Sequence, residues 1–259
     1  MTMQPGWVPP GIDTGKANGA RVYDWWLGGD HNFRADQDAA RANRAFLGRA
    51  VRFLAEAGIR QFLDIGSGIP TQDNVHQVAE AAAPGARVLY ADVDDVAVAH
   101  SKLILDGNPD AAVIHGDLRD PASILADPET QLLLDFSRPI ALLLVAVLHF
   151  VADAEEPEQL VAALRDALPP GSYLVVSHAC SDPEPEHMSQ FENVYRNKVA
   201  ARGRSRTSAE IARFFEGFTL VDPGLVWLPQ WKPDQPEDVP DDPEKYWFLA
   251  GVGRLSRPD

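Results

Sequence analysis

Hydrophobic and polar positions along the chain settle into an alternating rhythm after residue 58, short apolar runs followed by longer helical stretches. Gln61–Ile65, Arg87–Ala91, Ala112–His115, Ile140–Leu148 and Ser172–Ser177 read as buried strands. Helices are predicted over 72–83, 95–106, 121–134 and 156–168, with stops at Pro84-Gly85, Gly107-Asn108-Pro109 and Pro169-Pro170-Gly171. Such alternation implies βαβ units and a parallel sheet. Right-handed crossovers then place helices on both faces. Ile140–Leu148 is apolar throughout, as a central strand covered on both sides requires.

The two ends depart from this rhythm. Residues 1–15 are rich in Pro and Gly and predict a loose arm, and Asn18–Phe33 mixes aromatics with glycines. Residues 36–57 carry Ala39, Ala42, Phe46, Val51 and Leu54 at helical spacing, with Arg41, Arg44, Arg49 and Arg52 between them. Residues 186–201 predict a further helix. Thr207-Ser208-Ala209-Glu210 has capping-box spacing ahead of Ile211, Phe214 and Phe215. Two extended runs, Thr219–Leu228 and Tyr246–Leu255, flank a loop rich in Pro and Asp and predict a closing strand pair.

A chain of 259 residues fits one large domain or two small ones. It has 23 Lys and Arg against 38 Asp and Glu, a net charge of −15. That balance disfavours nucleic acid, whose phosphates need Lys and Arg, and an anionic membrane surface. Cys180 is the one cysteine, so no internal disulfide or thiolate zinc site is expected. The seven His are scattered, and no metal is expected. The N-terminus lacks the pattern of a signal peptide. The longest apolar stretch, Pro139–Ala152, is about 14 residues, below the ~18–20 of a membrane span. The expectation is a soluble cytoplasmic protein acting on a small molecule; nothing in the chain specifies an oligomeric state.

Candidate chemistry sits at the strand ends. In an open α/β sheet, ligands bind outside the carboxyl ends of the strands at the switch in strand order. Asp64-Ile65-Gly66-Ser67-Gly68 follows the first strand, Asp92 ends the second, and Gly116-Asp117 follows the third. Glycines let backbone approach a ligand closely. An acid ending strand two is placed to accept from ribose hydroxyls, and one after strand three to accept from an exocyclic amine. Each Asp taken alone also suits turn or cap chemistry. A dinucleotide fingerprint needs a third glycine; Thr71 stands there, behind Pro70. His149 follows the fourth strand and is a candidate general base. Arg196, Lys198, Arg202, Arg204 and Arg206 form a basic cluster that reads either as a solvated face or as an anion site, and Trp231 as packing or as a residue of the pocket mouth.

Asp64-x-Gly66-x-Gly68, Asp92 and Asp117 resemble the motifs of class I S-adenosylmethionine (SAM) dependent methyltransferases. A narrower resemblance, to the bacterial S-adenosyl methyltransferase family once known only as a domain of unknown function, covers nearly the whole chain. It rests on Ala20-Arg21-Val22-Tyr23-Asp24, Leu27-Gly28-Gly29, Asn32-Phe33, the block Leu63 to Thr71 with Asn74 and His76, Leu148-His149-Phe150-Val151, and Pro223-Gly224-Leu225-Val226. The resemblance implies a Rossmann-like, doubly wound, mostly parallel seven-stranded sheet with an antiparallel C-terminal strand pair. Residues 1–57 would form an arm and helical lid, and 58–259 the SAM-binding domain. It implies SAM as cofactor, with Asp64 near its ammonium, Gly66, Ser67 and Gly68 along the methionine part, Asp92 and Val93 at the ribose, Asp117 and Leu118 at the adenine, and Ala146 on the far side. Apart from the resemblance, Tyr23, Trp25 and Trp26 read either as a lid over the cofactor, aromatic faces near a sulfonium, or as a hydrophobic clasp fastening the arm to the core. Trp26, Asn32 and His149 would face the acceptor.

The function expected is methyl transfer to an O, N or C centre of a small molecule by direct displacement. A SAM-binding regulator, or an enzyme acting on the aminobutyrate arm of SAM, remain the alternatives at this stage.

Overall fold

Strand order reverses at the first strand of the chain. The computed structural model describes residues 34–68, 74–183 and 203–256. Within them, α1 (Arg34–Glu56) precedes β1 (Gln61–Ile65), α2 (Val75–Ala82), β2 (Arg87–Asp92), α3 (Asp95–Ile104) and β3 (Ala111–His115). Then come α4 (Pro121–Ala126), α5 (Pro128–Leu133), β4 (Ala141–Val145), α6 (Pro157–Asp166) and β5 (Tyr173–Ala179). The chain closes with α7 (Ser208–Arg213), β6 (Phe218–Leu220), β7 (Val226–Trp227) and β8 (Phe248–Leu255). The sheet runs β3-β2-β1-β4-β5-β8-β6. β1 to β5 are parallel, and β8 runs antiparallel to β5.

Side-chain alternation divides the core in two. Phe62, Val88, Tyr90 and Leu143 face one way and pack with Phe46, Val51 and Leu54 of α1 and Val75 and Ala79 of α2. Leu63, Ile65, Leu89 and Leu142 face the other way, against Ile124 of α4, Leu164 of α6 and Phe214 just past α7. Both faces are therefore covered, which is why β1 and β4 are buried at every position.

The predicted order of elements holds across the described residues, with local differences. The single helix expected over 121–134 is two, because Pro128 has no amide hydrogen and Asp127 caps the second by accepting from Glu129 N. The fourth strand stops at Val145 rather than Leu148. Ala146 has φ +55°, a left-handed conformation that leaves the strand, and Leu148–Phe150 turns into one 3-10 turn. The run Thr219–Leu228 is broken at Asp222-Pro223-Gly224 into β6 and β7, which pair with successive stretches of β8 in registers three residues apart. Eight strands thus occupy the seven places expected. The helix predicted over 186–201, together with Tyr23, Trp26, Asn32, Arg196, Lys198 and Arg202, lies outside the described residues.

Two arginines fasten the periphery. Arg49 of α1 donates to the carbonyls of Leu228 (2.8 Å) and Trp231 (2.9 Å). Trp231 is fully buried and packs edge-on against Phe46 and Phe53. It is a packing residue and does not line a pocket mouth, because the polar loop folds back onto α1. Arg206 is also buried. It donates to the carbonyls of Leu148 (3.0 Å) and Val151 (2.8 Å), to Asp153 (3.0 Å) and to His178 Nε2 (2.8 Å). Arg204 pairs with Asp153 and Glu210. The described part of the basic cluster is therefore committed to the protein's own acceptors. Arg206→Ala strands two carbonyls and is expected to lower stability by about 3 kcal/mol, a fall in Tm of roughly 6–12 °C; an unchanged melt would show that these bonds do not hold the segment after β4.

Candidate active site

The carboxyl ends of β1, β2, β3 and β4 lie side by side at one edge of the sheet, and Asp64, Gly66, Ser67, Gly68, Asp92, Asp117 and Ala146 stand at or just beyond them. Asp64 is 5% exposed near the end of β1, in register with Tyr90 of β2. Gly66 (φ +77°) and Gly68 (φ +63°) carry the chain out of the strand through left-handed conformations. A Cβ on Gly66 would lie 2.7 Å from Val147 Cβ, so the turn after β1 and the chain leaving β4 approach as closely as they do only because position 66 has no side chain. Ser67 turns its hydroxyl back onto the Gly68 carbonyl (3.3 Å).

Asp92 ties this turn to β2. Its Oδ2 accepts from Gly68 N (2.7 Å) and its Oδ1 from Asp94 N (2.9 Å). Each oxygen keeps a second lone pair for a ligand. Val93 beyond it is 54% exposed. Asp117 is half-exposed. Its Oδ1 accepts from Arg119 N (2.9 Å) and from the Arg119 guanidinium (3.2 Å). Arg119 also reaches Glu155 (2.6 Å) and the Phe150 carbonyl (3.0 Å), joining the strand-three end to the segment after β4. Leu118 is buried in the core behind Asp117. Ala146 N donates to the carbonyl (3.1 Å) and the hydroxyl (3.0 Å) of Ser177, and Ser177 Oγ donates to Asn43 Oδ1 of α1 (2.5 Å).

His149, the candidate general base, is an interior residue. Its ring is buried against Phe150, His178 and Phe248, and its Nδ1 has no partner among the described residues. Burial, with help from the Arg206 charge, lowers its pKa to about 3. It is neutral throughout the physiological range and poorly matched to general-base work near pH 7.

Asp64 is shifted the other way. Burial raises its pKa to about 7; the Arg44 charge opposes the shift and Asp92 adds to it. Asn74 Oδ1, just before α2, is buried without a partner among the described residues. The site thus holds a buried carboxyl whose pKa lies near neutrality and a second carboxylate with lone pairs to spare. No group of metal-ligating side chains occurs among the described residues.

The profile of the family described as S-adenosyl methyltransferase matches residues 5–256. The chain belongs to that family. A solved structure from Thermobifida fusca YX, a protein with a provisional methyltransferase name, is 40% identical, covers 98% of this chain and 100% of its own, and superposes with a TM-score of 0.81. A DUF574 family protein from Streptomyces avermitilis MA-4680 is 39% identical over 93% of this chain and 98% of its own, with a TM-score of 0.79. The magnesium protoporphyrin IX methyltransferase of Synechocystis PCC 6803, solved with S-adenosylhomocysteine (SAH) bound, shares the fold at 14% identity and a TM-score of 0.55, covering 92% of this chain and 94% of its own. No curated protein matches the chain.

This S-adenosyl methyltransferase therefore takes SAM as its cofactor. The edge fits such a ligand, with a Cβ-free approach at Gly66, a buried carboxyl at Asp64 for a cation and free lone pairs on Asp92 for hydroxyls.

Several contributors escaped the sequence reading: Asn43, Ser177, Arg119 and Tyr90, which secure the strand ends from a distance. Asn43 left a trace, a polar residue at helical spacing between Ala39 and Phe46 on the apolar stripe.

The Asp64 shift makes a prediction about stability. Between its ordinary value of 3.8 and about 7, the folded chain holds a proton that the unfolded chain has released, so this group's contribution to stability falls as pH rises through that window. Asp64→Asn removes the effect. Relative to wild type, the variant should gain on the order of 3–4 kcal/mol between pH 4 and pH 7.5. Urea melts at both pH values check this, and parallel behaviour of the two proteins would place the titration elsewhere.

Proposed function

We propose that the chain transfers the methyl group of SAM to a small-molecule acceptor by direct displacement. The observation that carries this reading is the conjunction at the strand-order reversal of a Cβ-free turn at Gly66 with the buried carboxyls of Asp64 and Asp92. In this reading Asp64 accepts from the ammonium of SAM, and Gly66, Ser67 and Gly68 lie along its methionine part. Asp92 accepts from the ribose hydroxyls beside Val93. Asp117 accepts from the adenine amine, with Leu118 behind the ring and Ala146 on the β4 side. From the sequence alone, this reading takes Tyr23 as a cofactor contact and Trp26 and Asn32 as acceptor contacts.

Bound SAM supplies an electrophilic methyl group. The chain's own residues orient, enclose and exclude water, and positioning of two reactants can supply most of the rate. A general base is not required of an acceptor that is already a good nucleophile. His149, neutral and buried, serves this reading as a wall of the acceptor side rather than as the base. Two features support a small acceptor. The net charge of −15 opposes a polyanion. After β4 the chain reads Val145-Ala146-Val147-Leu148-His149, not the Asn/Asp-Pro-Pro-aromatic motif of nucleic-acid methyltransferases.

Two experiments test the reading. With methyl-labelled SAM and a cell extract, label should move into low-molecular-weight product while SAH accumulates. Label in protein or RNA overturns the acceptor class, and release of methylthioadenosine overturns methyl transfer. Separately, Asp92→Ala should weaken SAM binding by about 1–3 kcal/mol, measured by calorimetry; unchanged affinity removes Asp92 from the site.

A further inference from the structure

The amino-acid end of SAM is a zwitterion, an ammonium beside a carboxylate, and the groups assigned above answer only the first. Asp64 and Asp92 are both acids, and a ligand carboxylate next to them needs a cation close by. Helix α1 provides one. Arg44 follows Asn43, whose side chain is bonded to Ser177 at the carboxyl edge of the sheet. Helical spacing sets Arg44 on the inward flank of α1, because Ala40, Leu47 and Val51, four before and three and seven after it, are all buried. Asp64 points to the same side of the sheet. Phe62, two residues before it, and Tyr90, its register neighbour, both belong to the core that α1 covers. The Arg44 charge acts on Asp64 and on Tyr90 alike.

The other arginines along the second half of α1's sequence and just before it all have partners. Arg41 bonds Asp38, Arg49 bonds two carbonyls and Arg52 pairs with Asp234. Arg44 is half-buried and has no hydrogen bond or ion pair among the described residues. A guanidinium has five donors, and one partly withdrawn from water with no acceptor is an arrangement that a ligand completes.

We propose that Arg44 binds the α-carboxylate of SAM and so selects for ligands with an intact amino-acid arm. This rests on the reading of Asp64, Gly66 and Asp92 as the SAM cradle. The two charges of the arm are then divided between two elements, the ammonium at Asp64 of β1 and the carboxylate at Arg44 of α1. Guanidinium and carboxylate match as a planar, two-pronged pair, which an ammonium in place of Arg44 reproduces only in part.

The test compares two ligands, SAH and its decarboxylated analogue, which keeps the ammonium and lacks the carboxylate. By calorimetry, Arg44→Ala should lose roughly ten- to a hundredfold in affinity for SAH and a distinctly smaller factor for the analogue, on which Arg44 acts only through Asp64. Arg44→Lys should recover part of the SAH affinity. Unchanged SAH binding in Arg44→Ala overturns the proposal. Equal losses for both ligands also overturn it, since Arg44 would then act through the fold. If Asp92→Ala binds SAH as tightly as wild type, the cradle reading itself fails, whatever Arg44 does.

Discussion

The reversal of strand order at β1 is the constraint on which the site depends. The chain goes from β1 outward to β3 on one side and then returns to build β4 on the other. The segments leaving β1 and β4 therefore diverge, and a crevice opens between them at the carboxyl edge. Where they leave the sheet, the two segments are still in close contact. Gly66 comes so close to Val147 that a single methyl group at position 66 would collide, and its φ of +77° is one that residues with side chains rarely adopt.

Around that crevice the polar groups are arranged by the chain's own amides. The Asp92 carboxylate gathers the amides of Gly68 and Asp94, so the glycine turn and the end of β2 move as one piece. Asp64, two residues before the turn, has no such donors among the described residues, and burial leaves it with a pKa near neutrality. The two acids thus differ in kind. One is committed to its backbone with lone pairs in reserve, and the other is a carboxyl whose ionisation depends on a cation. Such a difference in environment, more than the presence of carboxylates, distinguishes a ligand site from turn chemistry.

The segment after β4 is held at the same edge by arginines working through carbonyl oxygens. Arg206 binds those of Leu148 and Val151, and Arg119 binds that of Phe150 while holding Asp117 and Glu155. Backbone that follows no regular element needs acceptors and donors from elsewhere, and here the donors come from beyond β5 and from the end of β3. The end of β3 and the segment after β4 are thereby linked through Arg119.

Much of this was legible in the order of residues. The alternation of apolar runs with helical stretches determined a doubly wound parallel sheet, because a strand buried on both faces has no room for polar positions. The glycines and acids at successive strand ends marked the carboxyl edge as the candidate site, because that edge is common to every parallel strand. What only the tertiary structure decided concerns environment. His149 stands at the right place in sequence but is buried and neutral, and Arg206 and Trp231 belong to the interior. Arg44 reads like its neighbours along the helix until α1 is laid over the face to which Asp64 points. Burial, pKa and pairing depend on residues far apart in the chain, and a local pattern carries no record of which of them meet.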